Sequence, residues 1–218
     1  MGIVELISNQ LCIRSTFFFY GEAAAESLAQ QIAEDIASHW NEPKATAYIN
    51  KQVVEVKFDI KGVYSPQRTS EEIYYNYNPQ NNYFRIEKFS SVHISFVDDI
   101  PCNTGYFKLD NLLNNSTTAA HEYGHTLGLK HPEVLDIRGE GQPGIMYPRG
   151  TVCDPHYQYD SAAAALAPGG TMNPFKRKVL QKDIDALKLH RLSFGESGIA
   201  VLGDFSSVWH DKHLPVTE

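Results

Sequence analysis

The chain has 218 residues, 42% of them hydrophobic and 21% charged, with a formal net charge of -7, which suits one domain spanning 1–218 with a core of its own. Hydrophobicity at this level argues against an unfolded chain, and no run reaches the roughly 18 apolar residues of a membrane helix, so no membrane partner is expected. The acidic balance, with no basic run longer than Lys176-Arg177-Lys178, argues against nucleic acid as a partner, and three scattered cysteines, Cys12, Cys102 and Cys153, cannot build a disulfide framework or a Cys-x-x-Cys metal site.

Met1 to Glu5 lacks the basic and then apolar pattern of a secretory signal. The compartment stays open between the cell interior, a leader already removed and another export route. Leu11 to Tyr20, rich in aromatic and β-branched residues, predicts the first strand. After Gly21, Leu28, Ile32, Ile36 and Trp40 recur every fourth position and predict an amphipathic helix closed by Asn41-Glu42-Pro43.

Val54, Val56, Phe58 and Ile60 alternate with charged residues, the period of a half-buried strand. Ser65 to Asn82, with two prolines and several asparagines, reads as a long surface loop. Phe84–Lys88 and Val92–Phe96 predict two further strands, and Gly105–Leu109 a short edge strand. From Ser116 or Thr117, either an N-cap residue, a helix runs through His125 until Gly128 stops it. A long irregular stretch follows, and Leu180–Leu189 predicts a last helix. Strands grouped early and helices late indicate an α+β (mixed α/β) fold.

Within the second helix lies His121-Glu122-Tyr123-Gly124-His125-Thr126-Leu127-Gly128-Leu129-Lys130-His131. Four residues apart on a helix, His121 and His125 project from one face and converge on one ion. Glu122 points to the side, beside a metal-bound water rather than at the metal. Gly128 permits a left-handed backbone, so His131 swings back as a third nitrogen ligand. Three imidazoles leave the fourth tetrahedral position open, the mark of a catalytic rather than a structural zinc. These five fixed positions would arise by chance in such a chain on the order of 10⁻⁴ times. The alternative, two surface histidines with a third nearby by accident, leaves the placement of the glycine unexplained.

The segment resembles the zinc signature H-E-x-x-H-x-x-G-x-x-H of the metzincin metalloendopeptidases. That family carries a methionine turn beneath the zinc. Gly144-Ile145-Met146-Tyr147-Pro148 is similar to the turn of matrix metalloproteases, 15 residues beyond His131; Met172, at a gap of 41, is the competitor. Pro132 after the third histidine is as in serralysins, yet Glu133 follows, so no subfamily is assigned.

The resemblance implies a zinc-dependent endopeptidase, with His121, His125 and His131 as ligands and Glu122 as general base and acid. It implies a twisted, mostly parallel sheet with one antiparallel edge strand, two long helices, and an irregular lower part (about 130–218) closed by a C-terminal helix below an upper part (about 1–129). It also implies an extended peptide or protein substrate added along the edge strand at Gly105–Leu109, with Tyr147, Pro148 and Arg149 near the pocket for the side chain after the scissile bond. The stretch Thr151 to Gly170 is expected to shape the same side of the cleft. A monomer is expected. The rival readings are an inactive zinc-binding recognition domain, which would have no use for Glu122, a hydrolase of something other than peptides, and a delivered effector protease. Weaker candidates are Tyr157 and Tyr159 as oxyanion donors, His156 beside Asp154 as a metal site, and Asp98-Asp99 for Ca²⁺. For these, packing or a solvated surface is the competing explanation. Trp209 is expected to anchor a tail.

Overall fold

The computed structural model describes residues 1–215. In chain order its strands are β1 (Gly2–Ile7), β2 (Gln10–Tyr20), β3 (Thr46–Ile49), β4 (Gln52–Tyr64), β5 (Asn81–Glu87), β6 (Phe96–Val97), β7 (Thr104–Lys108) and β8 (Ile199–Leu202). The helices are α1 (Glu26–Asn41), α2 (Ser70–Tyr74), α3 (Thr118–Thr126) and α4 (Gln181–Ala186). None of them is long and apolar enough to cross a membrane.

Alternation writes the centre of the sheet. Leu11, Ile13, Phe17 and Phe19 of β2 enter the main core, while Phe18 and Tyr20 turn to a second cluster with Ile73 and Tyr83, as a period of two requires. The sheet order is β3-β4-β2-β5-β7-β6, and β4, β2, β5 and β7 run parallel. The result is a mixed α/β fold with a mostly parallel sheet and few helices. Antiparallel strands are more numerous than the single one expected. β3 and β6 bound the two ends, and β1 pairs with the first half of β2 and in turn accepts β8.

α1 covers the core face of the sheet through Leu28, Ala29, Ile32, Ile36 and Trp40. It lies so close to β4 that a Cβ on Gly62 would come within 2.0 Å of the Ala29 carbonyl oxygen. Its C-terminus is tied to the sheet by Asn41, whose side chain donates to Phe58 O (2.9 Å) and accepts from Phe58 N (3.0 Å). The helix stops at Asn41, where the sequence predicts it.

Several expectations are corrected. A strand, β1, precedes Leu11; Val4 at its centre is buried. The predicted loop at Ser65–Asn82 contains α2, started by a capping box in which Thr69 and Glu72 exchange hydrogen bonds, and its last residues already belong to β5. The predicted strand Val92–Phe96 is reduced to Phe96–Val97, because His93 adopts a left-handed backbone (φ 60°) that breaks extension. Gly105–Leu109 is not an edge: β7 lies between β5 and β6, so β6 bounds the sheet. Only α1 is long; α3 has nine residues and α4 six. α4 does not close the chain either, because Lys188 turns left-handed (φ 52°) after it and β8 returns to the upper sheet. Trp209 anchors the tail as expected, stacked on Tyr20 at 4.8 Å.

The Gly62 contact makes a direct prediction. Gly62→Ala must push α1 off the sheet, at a cost of about 1–3 kcal/mol as for other overpacked sites, read as a lowered urea midpoint. A midpoint equal to wild type would show that α1 is not seated on β4 as described.

Candidate metal centre

α3 is buried from Ala119 to Thr126. Tyr123 reaches into the core, where its hydroxyl hydrogen-bonds Ser15 Oγ at 2.9 Å, and Trp40 Nε1 donates to Ala120 O at 3.0 Å, locking α3 to α1. At its start the Ser116 hydroxyl accepts from Thr118 N (3.1 Å), so Ser116 supplies the capping oxygen. Thr117, freed from that duty, donates to Pro174 O (2.8 Å).

The end of α3 is a Schellman turn. Leu129 N donates to Gly124 O (3.0 Å) and Gly128 N to His125 O (2.9 Å), with Gly128 at φ +101°. The left-handed glycine reverses the chain, and His131 comes back over the helix. The three Nε2 atoms of His121, His125 and His131 then form a nearly equilateral triangle with sides of 3.0, 3.1 and 3.2 Å.

The tautomers decide what this triangle means. His121 Nδ1 donates to Ile145 O and His125 Nδ1 to Leu129 O, both at 2.7 Å. A carbonyl only accepts, so the proton sits on Nδ1 in both rings and the Nε2 lone pairs face one another. Converging lone pairs repel unless a cation lies between them. Bonds of about 2.05 Å to a tetrahedral zinc would set the nitrogens about 3.3 Å apart, close to the observed sides. Burial holds the His125 imidazole down to about 4 and His121 well below its ordinary value, so both rings are neutral ligands at neutral pH. Among the described residues these are the only His, Cys, Asp or Glu side chains that gather as three candidate ligands, and they could hold a metal ion.

Met146 lies under the helix, its sulfur so near Gly124 that a Cβ there would meet it at 2.3 Å. Any larger residue between the two helical histidines would displace it. Met172 instead packs in a separate cluster with Ile137, Tyr147 and Cys153. The turn that carries Met146 is braced by the buried Asp183 carboxylate of α4, which accepts from the backbone amides of Leu180 and Ile145; burial pushes this carboxyl up.

The triad opens into a cavity of about 400 Å³ between β6 and the Pro148–Arg149 segment, with Glu122 in its wall. Burial pushes the Glu122 carboxyl up to about 8, opposed by the charge of Arg177 and a hydrogen bond from the Val97 backbone. A divalent cation at the triad would favour its ionised form.

Other candidates are not brought to this place. Tyr157 packs in the Met172 cluster and Tyr159 is about half exposed, and neither lines the cavity. No residue of Thr151–Gly170 lines it either, because this stretch folds over the Met172 cluster through the Asp136–Val152 and Gln158–Met172 bridges. His156 packs on Tyr157, while Asp154 accepts from Gly139 N. Asp98 is not free for Ca²⁺: its carboxylate accepts from Thr104 Oγ1 and is bonded to His210 Nε2 at 2.7 Å, and Asp99 caps Ile100 N. Arg177 went unread. In sequence it is the middle of a short basic run, and only its alternation with the buried Val179 hinted at an inward side chain.

Zinc at about 100 times its dissociation constant should raise the stability of the protein by about 2.7 kcal/mol. His125→Ala should abolish that rise in thermal midpoint; an equal rise in the variant would rule out the triad as the binding site. No protein-family model matches the chain, and no curated protein matches it closely enough to count as a relative.

Proposed function

We propose that the protein is a zinc-dependent endopeptidase of metzincin type, with Met146 in the methionine turn. The observation that carries this reading is the triangle of three converging Nε2 atoms opening, beside Glu122, into a cavity bounded by the sheet edge. Imidazole ligands also suit copper, iron or nickel, but hydrolysis needs no redox change, which favours zinc.

Zinc held by His121, His125 and His131 would supply Lewis acidity, polarising a carbonyl and lowering the pKa of a water from 15.7 toward about 7. Glu122 would accept a proton from the attacking water and deliver it to the leaving amine. The carbonyls of Ile145 and Leu129 fix the two helical rings by accepting their Nδ1 protons, and such outer partners orient a ligand and raise its basicity. β6 pairs only with β7 among the described residues, so its other edge, where the Val97 backbone bonds Glu122, borders the cavity along which an extended peptide would be added as a strand. The apolar side chains of Ile94, Val97 and Ile100 shield the reacting bond from water.

This reading is favoured over an inactive metal-binding domain because Glu122 is held in the cavity wall without being a ligand, at the energetic cost of burying a carboxyl. It is favoured over an unrelated hydrolase by the sheet edge that borders the cavity beside the triad.

Glu122→Ala should retain bound zinc and the wild-type thermal midpoint, yet lose peptide cleavage by at least the factor of about 10²–10⁴ typical of general acid–base catalysis. A casein or peptide-library digest measures it, with metal content determined on the same samples. Cleavage at the wild-type rate would show that Glu122 is not the base.

A further inference from the structure

Arg177 lies on the segment before α4 and is 5% exposed. Its guanidinium is anchored from two sides: Nε and Nη2 donate to Thr117 Oγ1 (3.1 and 2.9 Å), and Nη1 donates to Tyr147 O (2.9 Å). Nη1 also lies 2.9 Å from His121 Nδ1. That nitrogen already gives its proton to Ile145 O, so the contact sets two donors side by side.

No carboxylate among the described residues forms an ion pair with Arg177 within 4.0 Å. Buried charges are ordinarily paired, because taking an ion out of water costs several kcal/mol. Here the unpaired cation stands against His121, beside the triad, where its charge opposes that of a metal ion. Its anchors leave N–H groups over, out of the five that a guanidinium carries. Arg177 nevertheless lines the cavity of the triad, and Arg149, exposed and likewise without an ion pair, lines the same cavity close enough for the two charges to repel. The acid that acts on it is Glu122, which makes no ion pair with it and which the proposed reaction reserves for moving a proton.

We infer that Arg177, with Arg149, forms a carboxylate-binding subsite, so that the substrate presents a carboxylate beside the scissile bond. The inference rests on the peptidase reading for the word "scissile", but the recognition of an anion does not. The carboxylate has two sources, a Glu or Asp side chain flanking the cleaved bond or the C-terminus of the peptide. A rigid guanidinium held by Thr117 and Tyr147 meets either in a bidentate pair, the geometry Arg favours. The apolar walls around it strengthen the pair by excluding water.

The test uses end-blocked peptides that differ only in Glu or Gln at each position flanking the bond, and a further pair ending in a free or an amidated C-terminus. With the zinc-loaded protein, kcat/KM should favour the carboxylate form about 10–100-fold, the worth of a charge-assisted hydrogen-bond pair. Preference for the internal Glu identifies a side chain, and preference for the free C-terminus identifies the chain end. Arg177→Gln should remove most of this preference, and Arg149→Gln, at an exposed position that folding does not need, should reduce it. In parallel, calorimetric titration of Glu122→Ala with the same peptides reads binding without turnover, and the carboxylate form should bind tighter by a similar factor that shrinks with added salt. Equal kcat/KM and equal affinity for both forms overturn the subsite and leave the peptidase reading standing. Undiminished preference in both arginine variants also overturns it. Tighter binding of the carboxylate form with no peptide cut by the wild type would retain the subsite and remove the peptidase reading.

Discussion

A helix of nine residues is too short to persist in water, so α3 exists only because every side of it is bought by a tertiary contact. Trp40 donates to a carbonyl in its middle, Tyr123 reaches Ser15 on β2, Met146 fills the space left by Gly124, and Thr117 at its start joins Pro174 and Arg177. The sheet, α1 and the irregular C-terminal half therefore all meet at one element. Displacing any of them displaces the imidazoles.

The chemistry follows from that crowding. Since α3 is buried, the outer nitrogens of His121 and His125 cannot be left to water, and backbone carbonyls of the two segments that follow accept them. Satisfying those protons selects the tautomer that turns both inner lone pairs toward His131. The same packing that stabilises the helix thus prepares a ligand set for a cation, and it also excludes the water that would otherwise screen Glu122 and Arg177. Both of those groups are perturbed mainly by burial.

Opposite charges share the cavity without forming a pair, and that arrangement is hard to account for by stability alone. A guanidinium and a carboxyl in direct contact would cost less to bury than two separated ones. Here both line one cavity, the carboxyl beside the triad and the guanidinium behind His121. The proposed carboxylate subsite would give the guanidinium the partner it lacks, and the proposed base role accounts for the carboxyl.

Local pattern was enough for what depends on neighbours in sequence. Helical spacing put His121 and His125 on one face and marked the buried stripe of α1, the glycine at 128 marked the reversal, aromatic and β-branched residues identified β2, and alternation identified β4. The hairpin strand β3 escaped because its turn, Asn50-Lys51, takes two left-handed residues without a glycine, and β1 and β8 because their pairing is long-range, β8 on β1 and β1 on β2. Long-range contact alone decided that Met146 rather than Met172 underlies α3, that β6 rather than β7 bounds the sheet, that Asp98 belongs to His210, and that Arg177 faces inward. The sequence determined which side chains can ligate a metal, since that is a matter of residue type and helical period. The tertiary structure decided which way their lone pairs point and what charge stands behind them, since both depend on carbonyls and side chains tens of residues away.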